Sequence, residues 1–335
     1  MYRLLIDEHI PYIDAFFKEN FVITRYENTD ELEQLIGAQD ILICRSTTSV
    51  DKKILSKTQL KIVATASSGT NHIDKKTVKN HGITFFSGHG ANAAAVCDYM
   101  TSTLAYLKIH IGISQQKVAI IGFGPVGQAV YKRLKHLNFE LGVYDPLINH
   151  TPDAITLDEL SSFPIICLHP NLHRAQLFPS FQLFNQKRLS HLLQDVCIIN
   201  AARGEIVSEE AILSPHFKGL YCTDVYWKEP KINPKIVDKA VLCTPHIAGH
   251  SLDSKKRITA LISQQIHRHL NIPFILDETI SVEKEIPLID NWHEKALRIY
   301  NPKDETDALK SDPSAKNFQL LRRAHHFRHD FPWCF

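Results

Sequence analysis

The stretch Val118-Ala119-Ile120-Ile121-Gly122-Phe123-Gly124-Pro125-Val126-Gly127 decides the fold. Its first four residues are apolar and mostly β-branched, as in a strand buried on both faces, and a helical pattern from Val126 to Leu137 follows at once. A G-x-G-x-x-G spacing alone also marks ordinary turns; the strand before it and the helix after it give this one its meaning. In such a turn Gly122 and Gly124 let the backbone turn tightly and approach a pyrophosphate at the helix N-terminus, while Gly127 permits close helix packing. The next strand, Leu141-Gly142-Val143-Tyr144, ends at Asp145, 18 residues beyond Gly127. A carboxylate there accepts hydrogen bonds from an adenosine ribose and repels a 2'-phosphate, so the expected cofactor is NAD rather than NADP.

Outward from this turn the same alternation continues. Strands are expected at Ile165 to Leu168, Val196 to Ile199, Leu220 to Thr223 and Val241 to Cys243. Before it lies another strand-helix series: Leu4-Leu5-Ile6, a helical Pro11 to Glu19, Phe21-Val22-Ile23, a helical Glu31 to Ile36, Ile41-Leu42-Ile43 and Ile62-Val63-Ala64. Near-continuous apolar strands separated by amphipathic helices imply parallel sheets covered on both faces, the α/β class with two doubly wound lobes, one flavodoxin-like and one Rossmann. A long Ala-rich helix from Ala91 to Ile111, ending at Gly112, separates the two series, and a helical Lys255 to Leu270 returns to the first. The expected division is residues 1–92 with 245–270 as a substrate-binding lobe, 93–244 as the NAD lobe and 271–335 as a C-terminal appendage.

Composition agrees with a globular protein of two or three domains. The 335 residues are 44% hydrophobic and 22% charged, and 38 basic against 36 acidic residues leave no electrostatic footprint for nucleic acid. Asp7, Glu8 and His9 stand where a signal peptide needs apolar residues, and no apolar run is long enough to span a membrane, so a cytoplasmic protein is expected. Seven cysteines without a C-x-x-C pair read as buried free thiols. His325, His326 and His329 have no cysteine or carboxylate set beside them to complete a metal site, and none is expected.

Three ionisable residues stand directly after strands of the second series, where open α/β sheets bind ligands: Arg203, Glu229 and His246. Arg203 precedes Gly204, leaving a guanidinium with little bulk beside it, suited to a carboxylate. A carboxylate beside imidazole fixes its tautomer and makes an acid/base pair of Glu229 and His246. Ser46 and the turn Ser67-Ser68-Gly69-Thr70 follow strands of the first series and offer hydroxyl and N–H groups to carboxylate or phosphate oxygens, or simply cap turns.

The order Gly122-x-Gly124-x-x-Gly127, Asp145, Asn200-Ala201-Ala202-Arg203-Gly204, Asp224-Val225 to Glu229-Pro230, and Thr244-Pro245-His246-Ile247-Ala248-Gly249 resembles the D-isomer-specific 2-hydroxyacid dehydrogenases over roughly residues 1–270. The resemblance implies a split first lobe and NAD-dependent oxidation of a 2-hydroxy acid. It gives Arg203 the substrate carboxylate, Glu229 the support of the histidine and His246 the substrate proton. Cofactor contacts are implied at Gly122, Gly124, Val126, Gly127, Asp145, Ala201, Ala202, Arg203, Asp224 and Gly249, and substrate contacts at Ser46, Ser67, Arg203 and His250.

Within the family, Asp7-Glu8-His9-Ile10-Pro11-Tyr12, Arg45-Ser46-Thr47-Thr48, Ser68-Gly69-Thr70-Asn71-His72-Ile73-Asp74 and His250-Ser251 resemble a branch that oxidises a phosphorylated four-carbon 2-hydroxy acid on the route to pyridoxal 5'-phosphate. That branch carries a C-terminal dimerisation domain, which Asn317 to Arg323 resembles, so a homodimer is implied, although the chain ends at Phe335, short of the usual length. Three places depart from the branch: His250 replaces a tyrosine, Ser67 a threonine, and Leu168-His169-Pro170-Asn171 lacks the His-Thr-Pro order. The alternatives are another 2-hydroxyacid dehydrogenase of phosphoglycerate, glycerate or lactate type, or an NAD-sensing binding protein without turnover.

Overall fold

A computed structural model of the chain describes residues 1–56, 58–175, 177–275, 291–325 and 328–332. They form two compact α/β units: residues 1–92 with 251–275, and residues 93–250 with the described residues from 291 onward.

In the first unit the strands β1 (Tyr2–Asp7), β2 (Phe21–Tyr26), β3 (Ile41–Cys44), β4 (Ile62–Thr65) and β5 (Thr84–Ser87) are all parallel, in the order β2-β1-β3-β4-β5. This flavodoxin-like order places a topological switch point between β1 and β3. There Asp7 closes β1, and Arg45, just past β3, reaches it with Nε at 2.8 Å. The helix Leu252–His269 starts on a capping box between Ser251 and Ser254 and buries Ile262 and Ile266 against Leu4, Ile6, Ile41 and Ile62. The helix expected over Pro11 to Glu19 is a single turn, Ile13–Phe16, which buries Ile13 and Phe16 in that same cluster.

In the second unit β6 (Lys117–Ile121), β7 (Glu140–Tyr144), β8 (Ile165–Leu168), β9 (Cys197–Asn200), β10 (Leu220–Thr223) and β11 (Leu242–Cys243) form a parallel sheet in the order β11-β10-β9-β8-β6-β7. Its switch point lies between β6 and β8, beside the glycine turn. Apolar clusters cover both faces. The helix Ala93–Tyr106 is buried along nearly its whole length and passes through a wider turn, Leu107–Ile111, to Gly112 at φ +81.

Residues 245–250 group with the second unit, residues 271–275 with the first, and the described residues from 291 onward with the second. The helices Trp292–Ile299, Lys303–Ser311 and Ala315–Ala324 and the residues after them supply core to the second unit: Ala296, with Tyr300 and Phe331 outside the helices, joins one apolar cluster, and Leu309 and Phe318 the other. Thr306 Oγ1 also accepts the amide of Cys243 at 3.0 Å, in the last strand of the sheet.

Cys44, Cys97, Cys167, Cys197, Cys222 and Cys243 are buried free thiols, whereas Cys334 lies outside the described residues. His325 pairs through Nδ1 with Glu305 at 2.5 Å; His326 lies outside the described residues. No described helix is long and apolar enough to cross a membrane.

Candidate active site

Three consecutive strand ends of the second unit carry the expected trio. At the end of β9, Asn200 closes the turn to Arg203 from both sides: its Oδ1 accepts the amide of Ala202 at 3.1 Å and its Nδ2 donates to the Arg203 carbonyl at 3.0 Å. Arg203 Nη1 in turn donates to the Ala202 carbonyl at 2.6 Å. Burial lowers the guanidinium from its ordinary value while the Glu229 charge opposes this, and an arginine keeps its proton in either case.

The loop after β10 is folded by its own polar groups. Thr223 Oγ1 binds the amide and the carbonyl of Val225, the amide of Tyr226 donates to Glu229 Oε1 at 2.8 Å, and Trp227 Nε1 donates to the carbonyls of Gly204 and Val207. Gly204 is required by contact: a Cβ there would stand 2.2 Å from the carbonyl carbon of Tyr226 and 2.7 Å from the amide nitrogen of Trp227. The loops bearing Arg203 and Glu229 are thus packed backbone to backbone.

After β11, His246 adopts φ +57, a left-handed conformation uncommon outside glycine. Buried Asp224 holds this loop, accepting Thr244 Oγ1 at 2.7 Å and the amides of Ile247 and Ala248 at 2.7 and 2.9 Å. Tyr99 bonds Thr244 Oγ1 at 2.9 Å, and Tyr226 donates its hydroxyl to the Thr244 carbonyl at 3.1 Å. So fixed, His246 places Nδ1 2.6 Å from Glu229 Oε2. An ionised carboxylate only accepts, so Nδ1 donates and Nε2 is left to exchange a proton. Burial pushes the Glu229 carboxyl up, but His246, the Tyr226 amide and Arg322 outweigh it and hold the carboxyl below its usual range.

A carboxyl held low in the fold stabilises it above the usual carboxylate pKa, and that contribution is lost as pH falls through the folded value. Glu229→Gln should remove this acid sensitivity and lower kcat about tenfold to a hundredfold, the worth of one charge-assisted hydrogen bond. A pH-rate profile and a pH series of melting curves check it.

The glycine turn fits a dinucleotide. Gly122 takes φ +88, and a Cβ on it would stand 2.7 Å from the nitrogen of Pro170; one on Gly127 would stand 2.0 Å from the Gly122 carbonyl oxygen. A Cβ on Gly124 would meet nothing within 4 Å, so the start of the helix Pro125–His136, which has no side-chain cap, is open above its N–H groups. Asp145, the residue after β7, accepts the Phe123 amide on Oδ2 at 2.7 Å and the Leu147 amide on Oδ1 at 3.0 Å, and each oxygen keeps a lone pair for a ribose hydroxyl.

In the first unit Ser46 is exposed and Ser67 half-buried at the ends of β3 and β4, and neither hydroxyl bonds another described residue. Their neighbours are engaged instead: Ser68 donates to the Gly88 carbonyl and to Asn92, and Thr48 bonds Tyr26. Sequence reasoning missed Asn200, Tyr99, Tyr226, Trp227 and Thr244 as positioning groups. Asn200 and Thr244 stood inside the quoted motifs, whereas Tyr99 is 145 residues from its partner and left no local sign.

Residues 98–248 match the family model of the D-isomer specific 2-hydroxyacid dehydrogenase, NAD binding domain. A relative from Legionella pneumophila strain Lens, named erythronate-4-phosphate dehydrogenase, is 41% identical over 98% of this chain and 95% of its own length. Another of the same name, from Psychromonas ingrahamii, is 37% identical over 79% of this chain and 71% of its own. Among solved structures, the fold is shared with a 3-phosphoglycerate dehydrogenase of Entamoeba histolytica bound to NAD+ (TM-score 0.66, 19% identity, 81% of this chain and 95% of that one). It is also shared with an NAD-dependent formate dehydrogenase of Staphylococcus aureus (TM-score 0.63, 21% identity, 83% and 99%).

Proposed function

Because the chain belongs to the erythronate-4-phosphate dehydrogenases, a branch of the D-isomer-specific 2-hydroxyacid dehydrogenase family, we propose that it oxidises 4-phospho-D-erythronate to its 2-oxo acid with NAD, in pyridoxal 5'-phosphate biosynthesis. The observation that carries this is the 2.6 Å pair of His246 and Glu229, from the two strand ends that follow that of Arg203 in the sheet. Bound NAD supplies the hydride acceptor. The residues that would hold it are the glycine turn, with Val126 at the helix start, and Asp145; Ala201, Ala202, Arg203, Asp224 and Gly249 are the further contacts we assign.

Arg203 binds the substrate carboxylate and so orients the hydroxyl carbon. His246 Nε2 takes the hydroxyl proton as hydride leaves that carbon, and the imidazolium formed is stabilised by Glu229 through Nδ1. Ser46 and Ser67 of the first unit, whose hydroxyls bond no other described residue, and His250 of the second are proposed substrate-binding residues. We place the enzyme in the cytoplasm as a homodimer, which light scattering on the purified protein tests.

The test of function compares NADH formation from 4-phospho-D-erythronate with that from unphosphorylated D-erythronate, glycerate and lactate. The phosphorylated acid should have the highest kcat/KM, because remote binding energy positions the reacting carbon. Indifference to the phosphate favours another member of the family, and NAD binding without turnover of any acid favours a sensor.

Asp145 should set cofactor choice. Asp145→Ala should lower NAD affinity about tenfold to a hundredfold, as expected when a charged acceptor of hydrogen bonds is removed, and narrow the gap to NADP. Calorimetric titration with both cofactors reads this directly, and equal affinity of the unaltered protein for both would defeat it.

A further inference from the structure

The loop that carries His246 is held from two sides, and only one of them lies in the motifs described so far. Asp224 collects its N–H groups. Its carbonyls go to Arg328, near the end of the described chain: Nη2 donates to Ala248 O at 2.9 Å and to His250 O at 2.8 Å, and Nη1 to Ala95 O at 3.2 Å, in the first turn of the helix Ala93–Tyr106. The Ala248 residue is therefore gripped at its N–H by a buried carboxylate and at its C=O by a buried guanidinium. Arg328 is only 7% exposed and lies 4.7 Å from the centre of the Tyr300 ring, whose hydroxyl donates to Glu305. Three residues on, the Phe331 amide donates to buried Asp98 at 2.8 Å, and Asp98 also pairs with Arg133, which anchors the segment to the same helix.

A buried arginine is a costly way to pack a chain segment, since an apolar side chain of similar volume does so without removing a charge from water. What the guanidinium adds is a planar fork that fixes the directions of several carbonyls at once. We infer that Arg328 is a positioning residue for His246, holding the 246–250 loop so that the imidazole keeps its contact with Glu229. This rests on the proposed acid/base role of His246. It gives the C-terminal segment a task in the chemistry of the site.

The full-length chain is compared with Arg328→Met and Arg328→Lys by steady-state kinetics, NAD titration, melting curves and the downfield proton resonance of His246 Nδ1, identified by its disappearance in His246→Asn. Arg328→Met should lose about a hundredfold in kcat, the scale of a 1 Å misplacement of a reacting group, with the Nδ1 resonance broadened or shifted; because Gly249 and His250 share the loop, KM and NAD affinity should weaken too, but by a much smaller factor. Arg328→Lys, which keeps the charge but not the fork, should fall between. A folded Met variant with wild-type kcat and an unchanged resonance overturns the inference, as does a parallel loss of NAD binding, which would mark a general structural role. If the Met variant does not fold, the Lys variant decides by the same readouts. Should the unaltered protein turn over no 2-hydroxy acid, the proposed reaction fails, while the resonance still shows whether Arg328 positions His246.

Discussion

His246→Asn should lower kcat by ~10²–10⁴-fold, the usual worth of a positioned general base, while NAD affinity stays near that of the unaltered protein. Asparagine is the informative substitution. His246 sits at φ +57, where an alanine would add backbone strain to the loss of the imidazole, whereas asparagine tolerates the left-handed region. The loop, its bonds to Asp224 and the fold then survive, and the measured loss belongs to the proton-transferring group. Single-turnover NADH formation separates that loss from any change in product release. A His246→Asn enzyme within a few-fold of the original would remove His246 from the chemistry and leave the pair with Glu229 as architecture.

Gly204→Ala should be nearly as damaging, although it touches no reacting atom. The added Cβ would stand 2.2 and 2.3 Å from the carbonyl carbon and oxygen of Tyr226, backbone atoms that cannot rotate away. The Arg203 loop and the Glu229 loop must then separate, and the Trp227 hydrogen bond to the Gly204 carbonyl at 3.1 Å goes with them. A displacement of ~1 Å at the reacting groups costs about a hundredfold in rate, and overpacking of this kind costs about 1–3 kcal/mol of stability. Melting curves and kcat/KM, measured together, should both fall. An active, stable Gly204→Ala protein would mean that the two loops are less tightly joined than their contacts imply.

Much of this site was legible in the chain because its determinants are local. A glycine turn needs only a strand, three glycines and a helix start within a dozen residues, and Asp145 follows at the next strand end; the long return helix was marked by the repeat of apolar residues from Lys255 to Leu270. Arg203, Glu229 and His246 were readable as strand-end residues, since parallel topology collects the ends of β9, β10 and β11 on one edge. The residues after 290 show the limit. Their amphipathic pattern says that each helix has an apolar face, but not which surface that face covers, and the bonds that settle it join Phe331 to Asp98 and Arg328 to Ala95, each 233 residues apart. For the same reason Asp224 was read as a cofactor contact when its carboxylate also organises the loop of His246. Pairings of this kind depend on where the chain returns, which no local spacing encodes.

The buried cysteines make the protein its own stopwatch. Burial pushes the Cys44, Cys97 and Cys243 thiols up to about 12, so near neutral pH they present almost no thiolate, the form that attacks alkylating reagents. Covalent labelling must then wait for the surrounding structure to open, and its rate reports how often that happens. Cys44 lies in β3 of the first unit, and Cys97, Cys167, Cys197, Cys222 and Cys243 lie in the second. Peptide-resolved alkylation over time therefore assigns each unit a separate opening rate from unlabelled wild-type protein, and ligand-dependent slowing at Cys44 or at the other five would tell which unit a bound molecule tightens.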